Sequence, residues 1–239
     1  MLMNNKTFLR QIKNQKTHWW FQARKNIIES IIQNINFKKK INILDFGTGS
    51  GVNLDMLIKY GKVDIHEKNK FARSIIKKNK KIYKVYNSLN FKKKNYDLIL
   101  LADVIEHIKK PKTLLKSLKK YLKKDGYILI TVPAYQFLYS KKDRVLGHYR
   151  RYNKKSLRKE LYDFKIKKIS YFNTFLFLPI MLITIINIIL NRDYIIKVET
   201  TPNYFLNLVL YQMFKMERFF IKYFKFSFGI SLYALVKND

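Results

Sequence analysis

Between residues 41 and 133 the apolar positions fall into short unbroken runs separated by stretches with helical spacing, the pattern of parallel strands alternating with helices. INILDF (41–46) reads as a buried strand that runs into a glycine turn, KVDIHE (62–67) as a second strand and IYKVY (82–86) as a third. YDLILL (96–101) is apolar on both faces, as a central parallel strand must be, and YILITVP (127–133) follows as a fifth. Helices are expected over about 52–59, over 69–78, and from Pro111, since proline suits a first helical position. Leu114, Leu115, Leu118, Tyr121 and Leu122 form the apolar face of that third helix, and Asp125-Gly126 is expected to stop it. A helix over 154–161, a sixth strand over 164–172 and a last strand over 230–236 complete the pattern. Ahead of it, residues 1–40 read as helical, with Trp19, Trp20, Ala23, Ile27, Ile28, Ile31 and Ile32 on one stripe.

These elements predict an α/β fold with a mostly parallel seven-stranded sheet flanked by helices. The expected organisation is an N-terminal helical cap (1–40), a core (41–171), an apolar helical insertion (172–227) and a final strand (228–239) returning to the sheet. YFNTFLFLPIMLITIINIIL (171–190) carries no charge and is close to the roughly 20 residues that cross a bilayer. Pro179, Asn173, Asn187 and two threonines argue against a span, which leaves a hairpin resting on a membrane through 172–226. A subdomain covering the substrate, or a dimer surface, is the competing reading. The formal net charge of +33 fits attraction to anionic lipid or nucleic acid, but the lysines are spread along the whole chain, so charge alone decides little. With no cysteine, disulfides, thiolate metal sites and cysteine nucleophiles are excluded. The first residues hold no apolar run of signal-peptide length, so the expected location is cytoplasmic, with the inner face of the membrane as the place where the insertion would act.

Candidate chemistry centres on DFGTGSG (45–51), between the first strand and the first helix of the core. Glycine there lets the backbone turn sharply and approach a ligand without a Cβ in the way. A dinucleotide turn of the G-x-G-x-x-G kind needs a third glycine at position 52, which is Val52. Instead an acid, Asp45, precedes Gly47, Gly49 and Gly51. A carboxylate at this strand end repels pyrophosphate and favours a cationic amino-acid group such as the methionine part of S-adenosylmethionine. Glu67, about 20 residues on at the tip of the second strand, suits both ribose hydroxyls. Together they define a Rossmann-like core with S-adenosyl-L-methionine as its cofactor.

The chain resembles the class I S-adenosylmethionine-dependent methyltransferases in this turn, in YDLILLADVIEHI (96–108) and in LKKYLKKDGYILITVP (118–133). HWWFQARKNII (18–28), DRVLGHYRRY (143–152) and FGISLYALVK (228–237) are similar to a bacterial subgroup found among cell-surface polysaccharide and glycolipid genes. The resemblance implies that Asp45, Gly47, Gly49 and Gly51 line the methionine side of the cofactor and that Glu67 binds ribose. It places Asn87 and Ser88 near the adenine, where the family has an acid that this chain lacks, and Asp103 beside the transferred methyl group.

An oxygen acceptor also needs a base, which suits histidine. His107 follows the fourth strand on the ligand side of the sheet and His148 lies in the polar loop GHYRRY, so both are candidates; a loop-orienting hydrogen bond is the plainer alternative for His107. Arg150 and Arg151 beside His148 suit an anionic acceptor or a bare surface pair equally. His18, next to two tryptophans, is a candidate lid residue, and His66 reads as an ordinary strand residue. No metal site is expected. The implied partner is a small-molecule or lipid-linked glycan acceptor. Nucleic acid is the second choice, because ADVIEH stands where base methylation favours an N-P-P-Y-type tetrapeptide. A membrane-associated binding protein without catalysis is the third, and the complete cofactor turn argues against it.

Overall fold

The computed structural model describes residues 9, 12–77, 82–91, 95–191 and 201–238. Strands β1 (Ile41–Phe46), β2 (Gly61–His66), β3 (Lys84–Tyr86), β4 (Tyr96–Ala102), β5 (Leu122–Pro133), β6 (Lys165–Phe172) and β7 (Ser231–Lys237) form one sheet in the order β3-β2-β1-β4-β5-β7-β6. The pairs from β3 to β5 are parallel, while β7 runs antiparallel between β5 and β6. The sheet is therefore the expected mostly parallel one, with an antiparallel end. Alternation along β4 divides the core: Ile99 and Leu101 face one layer, Leu98 and Leu100 the other, and all four are fully buried. Helices α1 (Trp19–Gln33), α2 (Leu54–Leu57) and α3 (Lys70–Ile76) contribute to the layer of Leu98 and Leu100. Helices α4 (Pro111–Lys119) and α6 (Lys154–Glu160) place Leu115, Leu118 and Leu157 in the opposite layer, and α5 (Lys141–Leu146) lies between β5 and α6 in sequence.

The winding places the crevice. From β1 the chain steps outward to β2 and β3, then returns to β4 on the other side of β1. Connections therefore diverge at the carboxyl ends of β1 and β4, where open parallel sheets bind ligands.

Some local expectations differ from what is found. The helical reading of 1–40 is interrupted: residues 15–17 form a turn and His18 caps α1, its Nδ1 accepting the Trp20 N–H at 3.2 Å. Residues 1–8, 10 and 11 of that stretch lie outside the described residues, as does Lys78 at the end of the 69–78 helix. Asp125-Gly126 does not stop α4, which ends at Lys119. Leu122 already pairs with Tyr96, the register then shifts before Leu98, and Asp125 sits at φ 63° donating its N–H to Asn238 O at 3.0 Å. A turn-forming pair inside a strand makes an irregularity of the bulge kind as readily as a helix stop.

After β6 come α7 (Phe177–Ile189) and α8 (Tyr204–Phe220); residues 192–200 of this region lie outside the described residues. One side of α8 packs on α1, through buried Phe214, which meets the Trp19 ring edge to face, and hydrogen bonds Asn26 to Tyr211 (3.1 Å) and Ser30 to the Arg218 carbonyl (2.9 Å). Among the described residues, no helix is long and apolar enough to cross a membrane.

Candidate active site

Gly47, Gly49 and Gly51 all have positive φ (71°, 57° and 78°), which other residues adopt at a cost. The three differ in what surrounds them. A Cβ on Gly47 would sit 2.8 Å from Val104 and one on Gly51 2.9 Å from Leu54, whereas one on Gly49 would meet nothing nearer than Gly47 O at 3.9 Å. The Gly49 position therefore opens into free space at the switch point, a backbone cradle that a ligand can approach closely.

Two carboxylates frame it. Asp45, at the end of β1, is 1% exposed and takes a 2.5 Å hydrogen bond from the Thr48 hydroxyl. Burial pushes its carboxyl up to about 6, against the pull of Thr48 and Arg24. Glu67, just past β2, accepts the Gly49 N–H at 2.9 Å on Oε2 and the Asn69 N–H at 2.8 Å on Oε1. Each oxygen keeps lone-pair capacity for a further donor. Tyr86 O receives the Glu67 N–H at 3.0 Å, which sets the exposed Asn87 and Ser88 alongside Glu67. An acid for a cationic amine, an open glycine peptide and an acid for vicinal hydroxyls fit the methionine and ribose parts of S-adenosylmethionine.

Asp103 follows β4 with φ 56°, its carboxylate ion-paired to Arg24 from α1 and hydrogen-bonded by the Thr131 hydroxyl at 2.9 Å. Arg24, itself buried, also lies over the Trp20 ring at 4.7 Å. The aromatic cluster of α1 thus packs around the arginine that reaches the crevice.

The third group comes from two loops. Tyr149 donates its N–H to Glu106 O at 2.8 Å, which docks the loop after α5 on the turn after β4. The His107 and His148 rings meet edge to face with centroids 4.6 Å apart. His148 Nδ1 lies 2.8 Å from Asp143 Oδ1, and Arg151 grips the same carboxylate with Nε and Nη2, each at 2.9 Å. Burial alone would raise Asp143, but His148 and Arg151 together hold it well below the usual carboxylate range. Burial, reinforced by neighbouring His148, lowers His107 to about 4, so this imidazole is neutral at pH 7 with a lone pair to offer.

Asp45, the three glycines and Glu67 are thus brought together, with Asn87 and Ser88 beside Glu67; Asp103, His107 and His148 gather past β4. His66 is buried and stacked on Phe46 at 4.1 Å, an ordinary strand residue. Arg24, Glu106 and Asp143 are additional buried charged groups of this region. Arg24 had a readable signal, a charge within the apolar stripe one turn before Ile27 and Ile28. Asp143 had another, since Ser140-x-x-Asp143 is a capping box that starts α5.

A mostly parallel sheet whose switch point carries an acid-flanked glycine turn defines an enzyme of the methyltransferase class. Residues 19–174 match the methyltransferase domain family, and the chain belongs to it. The chain is similar to a ubiquinone biosynthesis O-methyltransferase of Pelagibacter ubique, 33% identical over an alignment of 130 residues, with 46% of this chain and 54% of that one covered. The match thus spans about half the length of that relative. Among solved structures, the plantazolicin methyltransferase BpumL in complex with SAH superposes with a TM-score of 0.60 at 20% identity, covering 98% of this chain and 90% of its own. A SAM-dependent methyltransferase from Archaeoglobus fulgidus gives 0.54 at 15% identity, with 94% and 97% covered. These two likenesses concern the fold.

Proposed function

We propose that the chain transfers a methyl group to a hydroxyl oxygen of a small-molecule or lipid-linked acceptor. The observation that carries this reading is a neutral imidazole, His107, held against an Asp143-anchored His148 at the open end of β4. When bound, the cofactor supplies an electrophilic methyl group on its sulfonium. Asp45 pairs with its amino group, Gly47, Gly49 and Gly51 give it backbone room, Glu67 accepts from its ribose, and Asn87 with Ser88 borders its adenine. Asp103, locked by Arg24, flanks the methyl group. His107 takes the acceptor's hydroxyl proton, while His148 positions it. Holding acceptor and methyl group in line is the larger part of the catalysis. The O-methyltransferase relative supports an oxygen acceptor.

The lipid-linked part of the proposal rests on α8. Phe205, Val209, Met216 and Phe220 recur at helical spacing along α8, and all four are exposed. Beside them Arg218 lies over the Phe219 ring at 4.6 Å and Lys222 over Tyr223 at 5.4 Å, cations interleaved with exposed aromatics as at a lipid headgroup boundary. On this reading the place of action is the inner membrane face.

The test is transfer of a labelled methyl group from S-adenosylmethionine into cell extracts separated into lipid, aqueous and nucleic-acid fractions. Label is expected in the lipid or small-molecule fraction, as a base-stable methyl ether, and at least tenfold less with His107→Asn. Label in the nucleic acid, or none anywhere from protein that binds the cofactor, overturns the acceptor reading. Vesicle sedimentation tests the surface: the full chain should pellet with anionic vesicles, and Phe205→Glu/Phe220→Glu should not. A full chain that stays in the supernatant at low salt overturns it.

A further inference from the structure

Glu106, His107 and His148 each bring one ligand atom within 4.8 Å of the other two. Glu106 is wholly buried, and among the described residues neither of its carboxylate oxygens has a hydrogen-bond partner. Burying a carboxylate without a donor is costly, and such groups are usually paired or bound to metal. The two neighbouring acids each have an arginine, Asp103 with Arg24 and Asp143 with Arg151, while among the described residues Glu106 makes no ion pair.

The His148 imidazole is prepared for such a role. Asp143, already gripped by Arg151, acts as acceptor toward His148 Nδ1, which leaves the Nε2 lone pair free. His107 meets that ring edge to face with centroids 4.6 Å apart, which sets one of its own ring nitrogens within 4.8 Å of the other two ligand atoms. An imidazole whose other nitrogen is anchored to a carboxylate or carbonyl is the usual form of a metal-bound histidine.

We propose that Glu106, His107 and His148 ligate one divalent cation of the zinc, cobalt or manganese kind, with the remaining coordination positions open to the crevice. Two imidazoles and one carboxylate suit those ions better than magnesium or calcium. Ligand atoms around a tetrahedral ion at about 2.1 Å lie roughly 3.4 Å apart, so rotation of these side chains closes the present spacing. Binding of the ion follows from the ligand geometry alone. Its use does rest on the methyl-transfer reading above: with the ion bound, His107 serves as a ligand in place of its role as base, and an acceptor hydroxyl on an open position is oriented and made acidic enough to lose its proton to solvent water.

The experiment is titration of the chelator-stripped full chain with Co²⁺, followed by calorimetry and by visible ligand-field absorption. One equivalent is expected, with nitrogen- and oxygen-type bands. Glu106→Gln and His148→Asn are each expected to weaken binding at least 100-fold. Glu106→Gln, which removes only an unpaired buried carboxyl, should melt no lower than wild type without metal, and Co²⁺ should raise the melting temperature of wild type alone. S-adenosylmethionine binding is measured on the same stripped protein. Loss of cofactor binding with Co²⁺ binding intact counts against the methyltransfer reading of the crevice and leaves the ion site standing. No saturable Co²⁺ binding, or equal binding by wild type and Glu106→Gln, overturns the ion site.

Discussion

Asp45 gives the most direct check on how the cofactor is held. Its carboxyl titrates at about 6 in the free protein because burial disfavours the charge more than Thr48 and Arg24 favour it. Above pH 7 the group is ionised and ready for the cofactor's ammonium. At pH 5, one unit below, about one molecule in eleven is ionised, so binding must first expel a proton. If the ammonium keeps Asp45 ionised in the complex, the dissociation constant rises about tenfold between pH 7 and pH 5, or about 1.4 kcal/mol. The window stops near pH 7 because an α-amino group titrates at about 7.7–8.0. Calorimetry in two buffers of different ionisation enthalpy reads both quantities, the affinity and the proton released at pH 5. Asp45→Asn should bind at least tenfold more weakly at pH 7 and show neither the slope nor the proton. A wild-type constant that is flat from pH 7 to 5, or a slope that persists in Asp45→Asn, refutes the pairing.

Two more outcomes follow from the structure. Gly49→Val should stay folded, with a melting temperature lower by several degrees for a strained positive φ of about 1–2 kcal/mol, yet bind no measurable S-adenosylmethionine, since its side chain enters the open cradle; calorimetry beside a thermal melt decides it. Glu217 is wholly buried and raised to about 7 by burial, although it accepts the Thr174 and Phe175 N–H groups at 2.6 and 2.9 Å. A carboxyl raised from 4.5 leaves stability intact below pH 4.5 and removes it as pH climbs toward 7, here by about 3 kcal/mol. Denaturant unfolding of wild type should therefore weaken from pH 5 to 7.5, and Glu217→Gln should lessen that dependence; an unchanged pH slope speaks against the assignment.

What could be read from the chain was what is local. The glycine turn, its acid and the strand before it occupy 11 consecutive positions (41–51), and β4 is legible because both of its faces are apolar. Pairings across long separations were not legible. Arg24 reaches Asp103 across 79 positions and Trp19 meets Asn207 across 188. The meeting of Glu106 with His148 depends on one loop lying on another, which no periodicity encodes. Asp125-Gly126 misled for a different reason: turn chemistry is shared by helix ends and strand irregularities, and only the pairing of Leu122 with Tyr96 tells them apart. Arg24 is the instructive case, since a charge on an apolar stripe either breaks the helix face or finds a buried partner, and here it finds Asp103.

Three buried carboxyls separate structure from chemistry in this chain. Glu217 belongs to α8, two backbone donors at the start of the segment leading to α7 engage one of its oxygens, and its place is explained by joining that segment to α8. Asp45 has one hydroxyl donor, and the shift from 3.8 to about 6 corresponds to about 3 kcal/mol of disfavoured ionisation at neutral pH. Glu106 has no donor among the described residues, and burial, with Asp103 close by, keeps its carboxyl well above the ordinary value. Folding alone requires neither of the last two, because an apolar side chain of the same size would pack without the penalty. Both lie at the carboxyl ends of the central strands, one on each side of the switch point. An unfavourable charge retained where a ligand's opposite charge would relieve it is the physical mark of a binding position. By that criterion the crevice has two such positions, at Asp45 and at Glu106, and Glu217 is not a third.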